Sequence, residues 1–133
     1  MSTTSPSMRT PLSRVRGLGT AKSGTEHFWR QRATGIANVP LTIGLVAILM
    51  MVLGKPYPDA VAVLSHPLSV LILLAMIVSA TVHMRLGMQV IIEDYVHVEG
   101  LKVLALLANN FFSFAIGLAG VYAILKIGLT RLA

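Results

Sequence analysis

Three stretches of this chain run for more than twenty residues with almost no charge, and they decide what it can fold into. Residues 33–54 carry no charge over 22 positions and residues 103–125 none over 23, while 67–92 are interrupted only by His83 and Arg85. A helix needs about 20 mostly apolar residues to cross roughly 30 Å of hydrocarbon. Backbone polar groups find no water there, so each span must satisfy its own hydrogen bonds, as a helix does. The chain therefore reads as an all-α integral membrane protein with three transmembrane helices. Its composition agrees: 55% hydrophobic and 12% charged residues leave too little charge to cover a soluble domain of 133 residues.

The formal charge of +6 would suit a nucleic-acid binder, but its distribution does not. Arg9, Arg14, Arg16, Lys22, Arg30 and Arg32 all precede the first span, and Lys55 is the only base between spans one and two. The positive-inside rule puts such an N-terminus in the cytoplasm, or on the matrix side of a mitochondrion. The 93–102 connection is then inside and the C-terminus outside. Lys126 and Arg131 oppose this assignment and are outnumbered. Residues 1–24 are rich in Ser, Thr, Pro and Gly, with bases and no acid before Glu26. They read as a flexible, basic, partly extended cytoplasmic segment touching a partner or anionic headgroups, with a cleaved import sequence as the alternative. Residues 25–133 form the membrane domain. Without cysteine, the chain ligates no iron–sulfur cluster and forms no disulfide. No glycine-rich dinucleotide fingerprint follows a strand.

Trp29 and the neighbouring arginines suit the headgroup zone at the entry to span one. Gly35, Pro40 and Gly44 lie within it. Residues 54–59 read as an outer turn and 59–66 as a short interfacial helix before Pro67 starts span two. The short inner connection makes spans two and three antiparallel neighbours.

His83 is the costly residue. An ionisable side chain in hydrocarbon marks a candidate site, and neutral imidazole ligates haem iron. With hydrocarbon beginning near Ile92, His83 lies roughly 13 Å inside it at about 1.5 Å per residue. Met76, Ser79, His83, Gly87, Val90 and Asp94 share one helix face. That face offers a ligand, a gap at Gly87 where a porphyrin would meet no side chain, and a carboxylate at the membrane edge. The competing reading is an imidazole that only bonds a neighbouring helix. A six-coordinate iron with two imidazoles would need a second subunit, because His27, His66 and His97 all sit at or beyond the edges. Asp94–Tyr95 could serve a quinone, the phenol donating to a carbonyl and the carboxylate delivering protons; for an isolated pair, interfacial anchoring and helix-end solvation are the simpler reading. Arg32, on the same side, suits a haem propionate or Asp94, or plain anchoring. Asn109 and Asn110 read as interhelical glue and the methionines as packing filler.

Arg32-Ala-Thr-Gly-Ile at the start of span one, and His83-x3-Gly87-x6-Asp94-Tyr95 closing span two, resemble the hydrophobic membrane-anchor subunits of succinate dehydrogenase, respiratory complex II. The stretch Gly-x-Gly-x-Ala-Lys-Ser-Gly-Thr-Glu-His-Phe-Trp-x-Gln-Arg ending at Arg32 resembles the alphaproteobacterial members. The likeness covers roughly residues 12–128. It implies that His83 is an axial ligand of haem b, whose other ligand is a histidine of the companion anchor subunit. It implies that Tyr95 bonds a ubiquinone carbonyl beside the iron–sulfur subunit, that Asp94 assists proton delivery, and that Arg32 approaches the haem propionates. Electrons would come from succinate through a flavoprotein subunit and the iron–sulfur subunit. The order of Glu26 and His27 does not match, and His27 is given no role.

The expectation is thus a bacterial inner-membrane anchor, or a mitochondrial one, that is not catalytic alone and binds lipid rather than nucleic acid. It would help build a haem b site and a ubiquinone-reducing site. A related fumarate reductase anchor is the nearest rival. A small transporter or assembly protein is the more distant one, and it would call for ionisable pairs in more than one span.

Overall fold

The computed structural model describes residues 10–16 and 23–129. Their regular structure consists of α1 (Pro11–Val15), α2 (Ser23–Val52), α3 (Tyr57–Leu64), α4 (Pro67–Tyr95) and α5 (Glu99–Leu129). Three of these, over Thr25–Val52, Pro67–Tyr95 and Glu99–Leu129, are long and apolar enough to cross a membrane. The expected all-α, three-span architecture is what the structure shows. The basic segment 1–24 and its boundary fall mostly outside the described residues, as do Arg9, Lys22 and Arg131. Its described part includes the short helix α1; Pro11, with φ fixed by its ring, suits a first helical turn.

The helix ends follow from local chemistry. Gly54, at φ 74°, turns the chain out of α2 in a conformation that costs a Cβ-bearing residue more. The interfacial helix begins two residues earlier than expected because Pro56 and Pro58 suit a helix start. His66 ends the turn and caps α4: its Nδ1 accepts from the Leu68 backbone N–H at 3.3 Å, and Pro67 needs no such partner. Only residues 96–98 link α4 to α5, so Glu93, Asp94 and Tyr95 belong to the last turn of α4.

The three long helices form an open layer rather than a closed bundle. α4 is central, with α2 packed on one side and α5 on the other; α2 and α5 do not touch among the described residues, and α3 lies across one end. Helices in lipid gain little from the hydrophobic effect and associate where small residues let them close up. On α5, Gly117 faces Thr81 and Gly120 faces Ile77; a Cβ on Gly120 would stand 2.5 Å from Ile77 Cγ1. Only Ile48, Leu86 and Ile92 are buried among the described apolar residues, so the faces of the layer are left for lipid or other subunits.

Register at the α2–α4 seam changes one expectation. Thr34 and Gly35 meet His83, Gln31 meets Gly87, and Gly44 meets Ile72. Arg32 is therefore level with Arg85, and residue 33 lies well above Ile92. The two inner edges drawn from the sequence do not share one depth. At about 1.5 Å per residue, helices of 28 to 31 residues extend beyond a roughly 30 Å core. His83 lies close to the level of two arginines, nearer a polar zone than the 13 Å reckoned from Ile92.

Candidate functional site

The N-terminal half of α2 and the C-terminal half of α4 build the site between them. Thr34, two residues past Arg32, turns toward α4 and brings its Oγ1 to 3.1 Å from His83 Nδ1. That hydroxyl also lies 2.8 Å from the Arg30 carbonyl and 3.1 Å from the Gln31 carbonyl. The Ser79 hydroxyl, one turn from His83 on α4, donates to the Thr34 carbonyl at 3.4 Å. Gly35 leaves the space the imidazole fills: a Cβ there would stand 3.3 Å from His83 Cε1. Nε2 of His83 makes no hydrogen bond to any described residue.

Gly87, expected as a bare surface for a flat ligand, has the end of the Gln31 side chain beside it. A Cβ on it would come within 3.3 Å of Gln31 Nε2. Gln31 belongs to a polar stripe on α2, with His27, Thr34 and Asn38 at helical spacing. His27 Nε2, Gln31 Oε1 and Asn38 Oδ1 are buried and have no hydrogen-bond partner among the described residues. Buried polar atoms without partners are costly, and these three lie along the helix face that Thr34 turns toward α4.

Arg32 does not reach Asp94. Its guanidinium lies 4.3 Å from the Phe28 ring centroid, and Arg30 pairs with Glu26 one turn earlier. Asp94 and Tyr95 are exposed at the end of α4, Tyr95 by 77%, so any site there is open on the side this chain does not cover. Glu93 in the same turn accepts from Gln89 Nε2 at 2.8 Å. A helix C-terminus disfavours negative charge, and two carboxylates here depart from the local rule for a helix end. Twelve residues separate His83 from Tyr95, about 18 Å along the axis.

On the other side of α4, the asparagines of α5 act as expected. Arg85 Nε donates to Asn110 Oδ1 at 2.6 Å, and Asn109 Nδ2 donates to the Arg85 carbonyl at 3.0 Å. Sequence reasoning passed over Thr34, Gln31 and the Arg85–Asn110 bond. Thr34 stood in the Arg-Ala-Thr-Gly-Ile run; what was missing was the register that sets it against His83.

The chain matches the family profile described as succinate dehydrogenase/fumarate reductase transmembrane subunit over residues 6–117. It is 28% identical over 120 residues to the succinate dehydrogenase hydrophobic membrane anchor subunit of Paracoccus denitrificans, covering 90% of this chain and 92% of that one. The similarly named protein of Rickettsia conorii is 30% identical, with 84% of this chain and 89% of that one aligned. A succinate dehydrogenase membrane anchor subunit of Reclinomonas americana is 30% identical over 89 residues, 64% of this chain and 73% of that one. No solved structure matches.

Proposed function

The chain belongs to the succinate dehydrogenase/fumarate reductase transmembrane subunit family, among its succinate dehydrogenase membrane anchors, and we propose that it helps bind haem b and forms part of a ubiquinone-reducing site. His83 carries this reading: one ring nitrogen is engaged by a neighbouring helix, the other makes no hydrogen bond among the described residues, and the helix that bears it ends in Asp94–Tyr95. A neutral imidazole with one nitrogen held and one lone pair free is the donor that haem iron takes. His83 would hold the haem iron. His27 lies two turns before Thr34, about 10 Å along the axis, too far to oppose His83 on one metal. The second ligand would come from the companion anchor of the same complex. Bound haem supplies one-electron redox capacity, at a potential set by its axial ligands and burial.

Arg32 would hold its positive charge toward the haem propionates, steadied by the Phe28 ring. At the end of α4 the Tyr95 hydroxyl would donate to a quinone carbonyl, and Asp94 would pass protons from water. Oxidation of succinate to fumarate releases two electrons and two protons, and reduction of quinone to quinol takes up two of each. The flavoprotein and iron–sulfur subunits would deliver the electrons, docking at the cytoplasmic surface of a bacterial inner membrane, where the basic N-terminus lies in this assignment. Alone the chain catalyses nothing. Gly87 contributes through its contact with Gln31, which keeps α2 and α4 close beside His83.

Two substitutions in the assembled complex separate the halves of this reading. His83→Ala should abolish the low-spin b-type spectrum. Tyr95→Phe should keep that spectrum and lower quinone reduction by about 10²-fold, the contribution of a positioned proton donor, while an artificial acceptor is still reduced at the full rate. Wild-type quinone reduction in Tyr95→Phe would remove the phenol from the site. The matching profile also covers fumarate reductase anchors; a preference of the purified enzyme for menaquinone would select that reading.

A further inference from the structure

Resting on the haem-ligand reading above, we infer that Thr34 is a positioning residue that fixes both the tautomer and the ring plane of His83. A threonine hydroxyl has one proton to give. The Thr34 oxygen lies 2.8 Å from the Arg30 carbonyl and 3.1 Å from the Gln31 carbonyl, and both of these can only accept. The hydroxyl proton is thereby committed to the backbone of α2, as is usual for threonine inside a helix. The third contact, 3.1 Å to His83 Nδ1, is a hydrogen bond only if Nδ1 carries the hydrogen and donates it. The lone pair of the ring is then on Nε2, the nitrogen without a partner. The imidazole is thus prepared to ligate through one nitrogen before any metal arrives.

Two further contacts fix the ring in space. Gly35, next to Thr34, lies against the imidazole so closely that a Cβ would stand 3.3 Å from Cε1 and 3.7 Å from Nδ1. Ser79, one turn away on α4, donates to the carbonyl of Thr34 itself at 3.4 Å, tying the two helices at this level. Residue 34 therefore acts through His83 and touches neither iron nor quinone. Its hydroxyl is a neutral acceptor. It orients the ring and adds some electron density to the ligand without forming an ion pair with it. Losing that acceptor weakens donation to a ferric iron, so the haem potential should move to more positive values.

The test uses the intact complex carrying Thr34→Val, Thr34→Ser or Gly35→Ala, beside wild type and His83→Ala. Haem content, the electron paramagnetic resonance spectrum of the ferric haem and its midpoint potential are measured for each. Valine matches threonine in shape and cannot accept. It should weaken haem retention by about 10- to 100-fold, shift the low-spin signal and raise the potential. Serine should restore all three. Alanine at 35 should turn the ring and shift the low-spin signal with the Thr34 bond still available. A valine variant indistinguishable from wild type in signal and potential, or a serine variant that behaves like valine, overturns the proposal. If the valine variant does not assemble, Thr34→Ala takes its place, and an unchanged low-spin signal and potential there overturn the proposal. Failure of the haem reading itself looks different: wild type would then show no haem signal that depends on His83.

Discussion

Where Thr34 meets His83, a hydroxyl from one helix and an imidazole from another stand 3.1 Å apart, with Gly35 leaving the gap they need. His83 itself was legible in the sequence because an ionisable group in an apolar run is expensive. Thr34 was not: a threonine in a helix is ordinary until the opposing helix supplies a donor, and that depends on register. Gly87 shows the same limit from the other direction. A glycine one turn from a ligand suggested room for a flat group, and the end of the Gln31 side chain stands beside it. At the end of α4, Asp94 gives a prediction of its own. Asp94→Asn keeps size and exposure and loses the carboxylate that can take up and release a proton, so quinone reduction should slow by about 10²-fold in a steady-state assay while the haem spectrum stays as in wild type. A rate equal to wild type would leave Asp94 as an ordinary helix-end residue.

The seam between α4 and α5 depends on two devices at opposite depths. Toward the Tyr95 end, Arg85 donates to Asn110 and its carbonyl accepts from Asn109. Toward the other end, Gly120 admits Ile77. Interhelical hydrogen bonds in membranes contribute about 0.6 kcal/mol on average, so Asn110→Ala should lower thermal stability only slightly. Gly120→Val should do more. Its side chain would have to displace Ile77, and overpacking of this kind costs about 1–3 kcal/mol, visible as a lower unfolding temperature of the detergent-solubilised complex. The helices and their order could be read from charge-free length alone. Their ends could not: Thr25 to Arg32 looked like a headgroup prelude, yet those residues continue α2 beside α4, because helical hydrogen bonding carries on past the apolar boundary.

As a whole the chain is an open layer with α4 in the middle and few buried apolar side chains. In lipid such a layer persists by packing against other helices. The sequence pointed to a missing partner by a different route, since His83 had no second imidazole at its depth. The basic N-terminus extends the same logic to the soluble subunits. Removing residues 1–22 should reduce recovery of those subunits with the membrane anchors, scored by gel after solubilisation; an intact four-subunit complex would leave that segment without a docking role. Whether α4 presents one imidazole to a haem is decided by the reduced-minus-oxidised absorption spectrum of the purified native complex alongside His83→Ala. A low-spin b-type haem is expected in the first, and its loss, or conversion to high spin, in the second. A native complex with no Soret absorption, or an unchanged low-spin haem in His83→Ala, would contradict that assignment.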